Sequence, residues 1–444
     1  MNYKYSTLLT DLYQLTMIQG YYDHGLNGIS VFEFFVRKLP DNRGFLMASG
    51  LETVISYLEN LKFSQEELRW VAESGRFSKG FVKFLEELRF TGDVDAMKEG
   101  TIFFPNEPIL RVTAPISQAQ LVESRIINLL HFQTLIASKA VRMVLAAPGK
   151  LLVDFGLRRA HGAEAGLLAA RASYVAGISG TATVLANLVY GIPVYGTMAH
   201  SFVLAHDDEA EAFMHFALSQ PDNVILILDT YDTEKAASRV VSICHKLKER
   251  GIEIKGVRLD SGDLADHARK VRSILDQGEL KETKIFVSGG LDEYVLAELI
   301  AKGAPIDGFG IGTCMDTSSD APYLDSAYKL QEYDGKMKRK RSEGKATLPG
   351  RKQVYRFFDK TGKAREDVIT LDSEKSSGLP LLEPVMRSGK RVKPTPSLET
   401  VRRHGTSQLE ILPESIKKIQ NPSIYPVKLS TSLEQLIQRL DSQL

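Results

Sequence analysis

Seven short segments between residues 156 and 313 collect side chains suited to phosphate and sugar. After the apolar run LLVDF come Gly156, Leu157, Arg158 and Arg159; YVAGIS leads into Gly180 and Thr181; IPVYG leads into Thr197, Met198, Ala199, His200 and Ser201. NVILIL is followed by Asp229, Thr230, Tyr231 and Asp232, and GVRLD sets Arg258, Asp260, Ser261, Gly262 and Asp263 at its end. FVSGG brings Ser288, Gly289 and Gly290, and GFGIG brings Gly310, Gly312 and Thr313. Arginine forks pair oxyanions through two bonds, and glycine lets backbone amides approach phosphate closely. Aspartates among them accept bonds from sugar hydroxyls or hold Mg2+ that bridges phosphates. Any one strand-end Arg or Asp also serves as a cap or salt bridge, so the weight lies in the agreement of all seven.

Several other chemistries are excluded. There is no GxxxxGK[ST], and the Gly308-Gly310-Gly312 spacing lacks the third glycine of GxGxxG. No lysine follows these runs, which argues against a Schiff-base mechanism. His200 and His206 are six apart, a spacing that does not put two ligands on one helical face, so no zinc is expected. Two cysteines, Cys244 and Cys314, supply neither a disulfide framework nor a four-thiolate site, which fits a reducing cytoplasm.

The elements that must hold these tips are legible from their alternation. Between the apolar runs lie amphipathic segments such as TEKAASRVVSICHKLKERG and DLADHARKVRSILDQG, with Asp or Thr in front and Gly behind. Apolar strands alternating with helices predict a parallel sheet buried on both faces, with ligands at the carboxyl ends of the strands. Six or seven such units favour an irregular (β/α) barrel, closed or incomplete, over a five-stranded open sheet. The fold class is therefore α/β, with the barrel over residues 126–325. An N-terminal α+β domain is expected over 1–125, where helical LETVISYLENLK and SKGFVKFLEEL mix with strand-like SVFEFFV and PILRV. Residues 326–444 form a C-terminal segment returning to that domain, with strand-like YKLQEY and QVYRFFD, a basic loop at 336–352 and the helical tail SLEQLIQRLDSQL.

Composition sets the outer limits. The 444 residues, 43% hydrophobic and 25% charged, are globular, and 56 basic against 55 acidic residues leave no field to recruit nucleic acid or an acidic membrane. The first twenty residues lack a secretory core because Asp11 interrupts it. Ala172 to Ala199 is uncharged over 28 residues, but Gly177, Gly180, Gly191, Pro193 and Gly196 read as two buried elements joined by turns, and no membrane span is expected. The stretch KMKRKRSEGKATLPGRK carries eight basic residues against one acidic, as a solvated hairpin or as a lid over phosphates.

Read as strings, TDLYQLTM (10–17), FGLRRAHG (155–162), GTMAHSF (196–202), LDTYDT (228–233), GVRLDSGDL (256–264), FGIGT (309–313) and TLPGRKQVYR (347–356) together resemble the nicotinate phosphoribosyltransferase family. The resemblance implies condensation of nicotinate with phosphoribosyl pyrophosphate to nicotinate mononucleotide and pyrophosphate, assisted by ATP with Mg2+, a salvage entry to NAD. It implies a homodimer with shared active sites and a phosphorylated His200. It puts Arg158 near the pyridine carboxylate or the pyrophosphate, with Arg159 beside it and Thr197 near the base. Asp260 falls to the ribose hydroxyls, and Asp229 to the metal or to positioning near His200. Arg258, Ser261, Gly262, Gly290, Gly310, Gly312 and Thr313 fall to the phosphates. Tyr13 would stack on the pyridine from the partner subunit, or else pack on its own helix. Ala182 and Thr183 stand where serine and asparagine are more usual, and His161 where glutamine is common. Two alternatives stay open. One is the same transfer to nicotinamide or quinolinate, against which the paired arginines favour an acidic ring. The other is a catalytically silent nucleotide-binding regulator, against which His200, Asp229 and Asp260 together argue.

Overall fold

The apolar runs become six short parallel strands: β1 (Leu151–Asp154), β2 (Gly180–Thr181), β3 (Val224–Ile227), β4 (Ile254–Leu259), β5 (Lys284–Ser288) and β6 (Gly308–Ile311). The computed structural model describes residues 6–442; the first five residues of the N-terminal stretch read above and the last two of the helical tail lie outside the described residues. The chain divides into two compact units, residues 139–322, and residues 1–138 with 323–444.

In the first unit the strand order is β2-β1-β6-β5-β4-β3, every pair parallel. The last strand returns to the first, Gly308 opposite Leu151 and Ile311 opposite Asp154. This is the cyclic order of a (β/α) barrel with one seam left without a ladder, between β2 and β3. At that seam Thr181 makes a single parallel bridge to Val194, and Asn223 Nδ2 donates to the Gly196 carbonyl at 2.9 Å. Val224, Leu226, Val257, Leu259, Ile285, Val287, Phe309 and Ile311 are buried, as strands covered on both faces require. The aspartates that open the helices act as caps: Asp232 accepts from the Lys235 amide, Asp263 from Ala265 and Asp266, and Asp292 from Tyr294 and Val295. Each cap locks a helix start a few residues beyond a strand end, which limits where the intervening tip can go.

Two runs differ from expectation. YVAGIS is not a strand: its first residues end the helix Ala163–Val175, and only Gly180–Thr181 pairs. IPVYG contributes the one bridge at Val194. The uncharged stretch from Ala172 is thus cut into a helix end, a two-residue strand and the short helix Val184–Tyr190. Among the described residues one helix, Glu123–Ala146, is long and apolar enough to cross a membrane by length and composition, and 78% of its most apolar 18-residue window is buried in protein.

The second unit is α+β. Ile29–Val36 pairs antiparallel with Leu110–Pro115 on one side and Ser326–Tyr333 on the other, so N- and C-terminal residues share one seven-stranded sheet. A four-stranded sheet holds Lys352–Phe358 and Ala364–Leu371. The basic segment 336–352 is partly tied down by its own unit. Arg339 and Arg341 both pair with Asp441, Arg351 pairs with Glu332, and buried Lys352 lies 2.7 Å from Glu33. Half of the eight basic residues are thus engaged by carboxylates of their own unit. Arg356 of the same string is fully buried against Asp367 at 2.6 Å, an internal anchor.

Candidate active site

Parallel pairing of β3 with β4 sets Ile227 opposite Arg258 and lets the Leu228 amide donate to the Arg258 carbonyl, so the two tips beyond them meet. Asp229, whose side chain is 4% exposed, is their junction. It accepts from the Asp260 amide at 3.2 Å and from Ser261 Oγ at 2.5 Å, and His200 Nε2 lies 3.4 Å from its Oδ1. His200 opens the helix His200–Leu204 and keeps 37% of its side chain exposed. A proton on Nε2 is held by Asp229, which leaves the Nδ1 lone pair facing outward from that bond.

Asp260 extends the cluster to β5, accepting from Ser288 Oγ at its Oδ1, while Oδ2 has no donor among the described residues. The next residue must be glycine. Gly289 has φ +91°, and a Cβ there would lie 2.1 Å from the Asp260 carbonyl oxygen. Gly310 faces Phe155 and Ser288, Gly312 faces the Phe155 carbonyl, and exposed Thr313 opens the helix Thr313–Asp316. Ser261, Gly262 and Gly290 are exposed at the ends of their strands.

The cations stand beside these carboxylates. Arg258 Nη1 donates to Thr197 Oγ1 at 2.9 Å, while its Nε has no partner. Burial pulls the Arg258 pKa down, the Asp260 and Asp229 charges oppose that, and nearby Arg158 adds to the lowering. Arg158 and Arg159 sit exposed on the turn Leu157–Arg159, and neither has a carboxylate partner among the described residues. A half-buried, half-paired guanidinium and two unpaired exposed ones describe a receptor for oxyanions.

The rim therefore joins Arg158, Thr197, His200, Asp229, Arg258, Asp260, Ser261 and the glycine tips within one unit. Tyr13 lies on the helix Leu12–Asp23 of the other unit, 47% exposed. At the departures, the Thr183 amide donates to Thr181 Oγ1 and the Ala182 amide to the Asp154 carbonyl, while His161 is exposed. Among the described residues no three His, Cys, Asp or Glu side chains gather as a metal cage. Both Asp229 oxygens already accept protein donors, whereas Asp260 Oδ2 has none among the described residues. Sequence reasoning passed over Ser288 as a ligand of Asp260, and over Asp154 and Asp316, which lie side by side beneath the Gly156 turn.

Comparison with known proteins gives a consistent result. The family model for the nicotinate phosphoribosyltransferase N-terminal domain matches residues 8–131, that for the nicotinate phosphoribosyltransferase family matches 151–364, and that for the C-terminal domain matches 375–437. A nicotinate phosphoribosyltransferase of Mycobacterium tuberculosis is 45% identical over 435 residues, covering 98% of this chain and 93% of that protein. One of Bacillus subtilis is 37% identical, covering 96% and 93%. The crystal structure of human nicotinic acid phosphoribosyltransferase superposes with a TM-score of 0.88 at 28% identity, covering 97% of this chain and all of that one.

Proposed function

The chain belongs to the nicotinate phosphoribosyltransferase family, and from that premise we propose that its transfer of phosphoribose to nicotinate is assisted by ATP through phosphorylation of His200. The observation that carries the proposal is the bond between His200 and Asp229 in the cluster that also holds Asp260 and Arg258. In the transfer, the nicotinate ring nitrogen forms a bond to ribose C1 as the C1–oxygen bond breaks, and pyrophosphate leaves with the electron pair. The enzyme's task is to align the reactants and to stabilise opposite charges on ribose and leaving group. Arg158, Arg159 and Arg258 neutralise carboxylate and phosphate oxygens, and Asp260 accepts from the ribose hydroxyls while its charge favours the cationic sugar.

Mg2+ fits the rim through Asp260, with Asp229 the weaker ligand, and when bound it would neutralise charge on the diphosphate. In the ATP step, His200 Nδ1 takes the γ-phosphoryl group and ADP leaves. The new group brings about two negative charges and three acceptor oxygens to a rim bearing three arginines. That draws the arginine tips inward, which is how hydrolysis elsewhere in the cycle favours the transfer. The protein incubated with γ-labelled ATP should acquire acid-labile label that maps to His200. Label on any other residue, or none, overturns the phosphohistidine.

Nicotinate rather than nicotinamide is the base this reading selects, because the two exposed arginines favour an acidic ring over a neutral amide. Arg158→Lys loses the bidentate fork, so the KM for nicotinate should rise about tenfold with kcat less affected. An unchanged KM removes Arg158 from the base, and faster turnover of nicotinamide than nicotinate in the parent overturns the choice. The working form we propose is a homodimer. Val184, Leu185 and Leu188 are 74%, 51% and 83% exposed on one short helix, and Leu12, Tyr13 and Met17 are exposed on another. Apolar surface of this kind suits a second copy of the chain, with Tyr13 offered to the partner's base. Sedimentation should give twice the 49.3 kDa chain mass, and a monomer active at the same dilution refutes it.

A further inference from the structure

Beneath the turn that carries Arg158 and Arg159, two carboxyl groups are buried together. Asp154 ends β1 and Asp316 ends the helix Thr313–Asp316, and each is 1% exposed. Asp154 is well supplied with donors: the Gly156 amide reaches Oδ1 at 2.7 Å and Thr181 Oγ1 reaches Oδ2 at 2.6 Å. Asp316 is not, since neither of its oxygens has a donor. Its carboxyl packs on Gly156 so closely that a Cβ there would lie 2.1 to 2.6 Å from the carboxyl atoms. Among the described residues no cation pairs with either group, and the Asp154 charge bears on Asp316. Two unneutralised carboxylates cannot share such a site, because burial already disfavours one charge and the second adds repulsion.

We propose that Asp316 is a positioning residue for phosphoribosyl transfer, which keeps a proton and donates it to Asp154 so that the pair, carrying one charge, fixes the Gly156 turn beneath Arg158. The linkage runs through named bonds. Asp154 holds the Gly156 amide, and the Gly156 carbonyl in turn accepts from the Arg159 and Ala160 amides at 2.8 and 3.0 Å. Thr181, which donates to Asp154, accepts from the Thr183 amide at 3.0 Å. The shared proton thereby secures the tips of β1, β2 and β6 at once. Burial and the Asp154 charge both hold the Asp316 carboxyl well above the usual carboxylate range, in keeping with this. Burial raises Asp154 as well, against the lowering by its Thr181 and Gly156 bonds. Loss of the proton puts a second negative charge under the arginine turn, weakening its grip on an anionic base. That last consequence rests on the proposed contact of Arg158 with nicotinate; the proton itself does not.

The sign of the pH effect follows. Above the ordinary value of 3.8 the folded state retains a proton that the unfolded chain has lost, so stability falls with rising pH up to the raised folded value. Asp316→Asn donates an amide N–H to Asp154 at every pH and removes that dependence. Three measurements test the proposal on the full-length protein. The infrared difference between parent and Asp316→Asn at neutral pH should show a carboxylic-acid carbonyl stretch. The Tm of Asp316→Asn should gain on the parent as pH rises. The KM for nicotinate should climb on an alkaline limb in the parent and stay level in Asp316→Asn, which at the optimum stays within about threefold of parent turnover. Asp154→Asn turns an acceptor of two bonds into a mismatched amide and should cost about tenfold or more in kcat/KM.

An absent acid band, or superimposable Tm and KM profiles, overturns the shared proton. So does Mg2+ that stabilises the parent but not Asp316→Asn, which would make the pair a cation site. If the acid band and Tm shift appear while the KM profiles coincide, the positioning role falls and the proton stands. Failure of the base assignment is seen separately, in Arg158→Lys.

Discussion

His200→Ala loses the ATP-dependent part of the rate and keeps a slow basal transfer. Among the described residues the side chain bonds to Asp229 alone, and it is more than a third exposed, so its removal leaves the Asp229–Asp260–Ser261 junction assembled. What disappears is the acceptor of the phosphoryl group and the charge that group would bring to the three arginines. At saturating ATP the expected fall in kcat/KM for phosphoribosyl pyrophosphate is about 10²-fold, within the range for losing one electrostatic contributor to a transition state. Without ATP the variant and parent should run within a few-fold of each other. ATP stimulation that survives in the variant contradicts the role, and loss of the basal rate as well would move His200 into the transfer step itself.

Asp229→Ala is the more damaging change, and its signature differs. Three donors converge on that carboxylate, so truncation frees His200, releases the Asp260 amide and leaves the Ser261 hydroxyl without its acceptor. Arg258 also loses one of the two negative charges that balance it in its buried setting. The basal reaction should therefore fall by about 10²–10³-fold with or without ATP, since removal of a group that orients reacting side chains is felt as lost geometry. Steady-state rates with ATP present and absent separate the two variants cleanly. If Asp229→Ala keeps the basal rate and loses only ATP stimulation, Asp229 serves His200 alone, and the Asp260 tip is held by Ser288 and Gly289.

The rim was legible because its chemistry is written at strand ends, where polar residues interrupt apolar runs. Asp229, Arg258 and Asp260 were found that way, and the register of β3 against β4 is what brings them together. Asp154 was missed because it sits inside an apolar run, before Phe155, and Asp316 because it follows its tip by three residues with nothing to mark its neighbour. Their proximity is a product of β1 and β6 being adjacent, a long-range fact that local pattern does not contain. The helix Glu123–Ala146 escaped for another reason: it is apolar on most faces, so it lacks the one-sided stripe by which helices are recognised. YVAGIS misled in the opposite sense, since a short apolar run bounded by glycine suits a buried helix end as well as a strand. The pairing of Arg339 and Arg341 with Asp441 joins residues about a hundred positions apart, beyond any reading of charge runs.

The seam between β2 and β3 has a dynamic consequence. Among the described residues, those at 196–200 are hydrogen-bonded to the strands beyond them through side chains: Asn223 on Gly196, Arg258 on Thr197 and Asp229 on His200. Each such bond contributes on the order of 1 kcal/mol, and among the described residues no backbone ladder adds to them. In a ring whose other staves are hooped to their neighbours, the stave bearing the histidine is the loose one. Under the proposed phosphorylation of His200, it is the stave that would swing while the rest of the vessel keeps its shape.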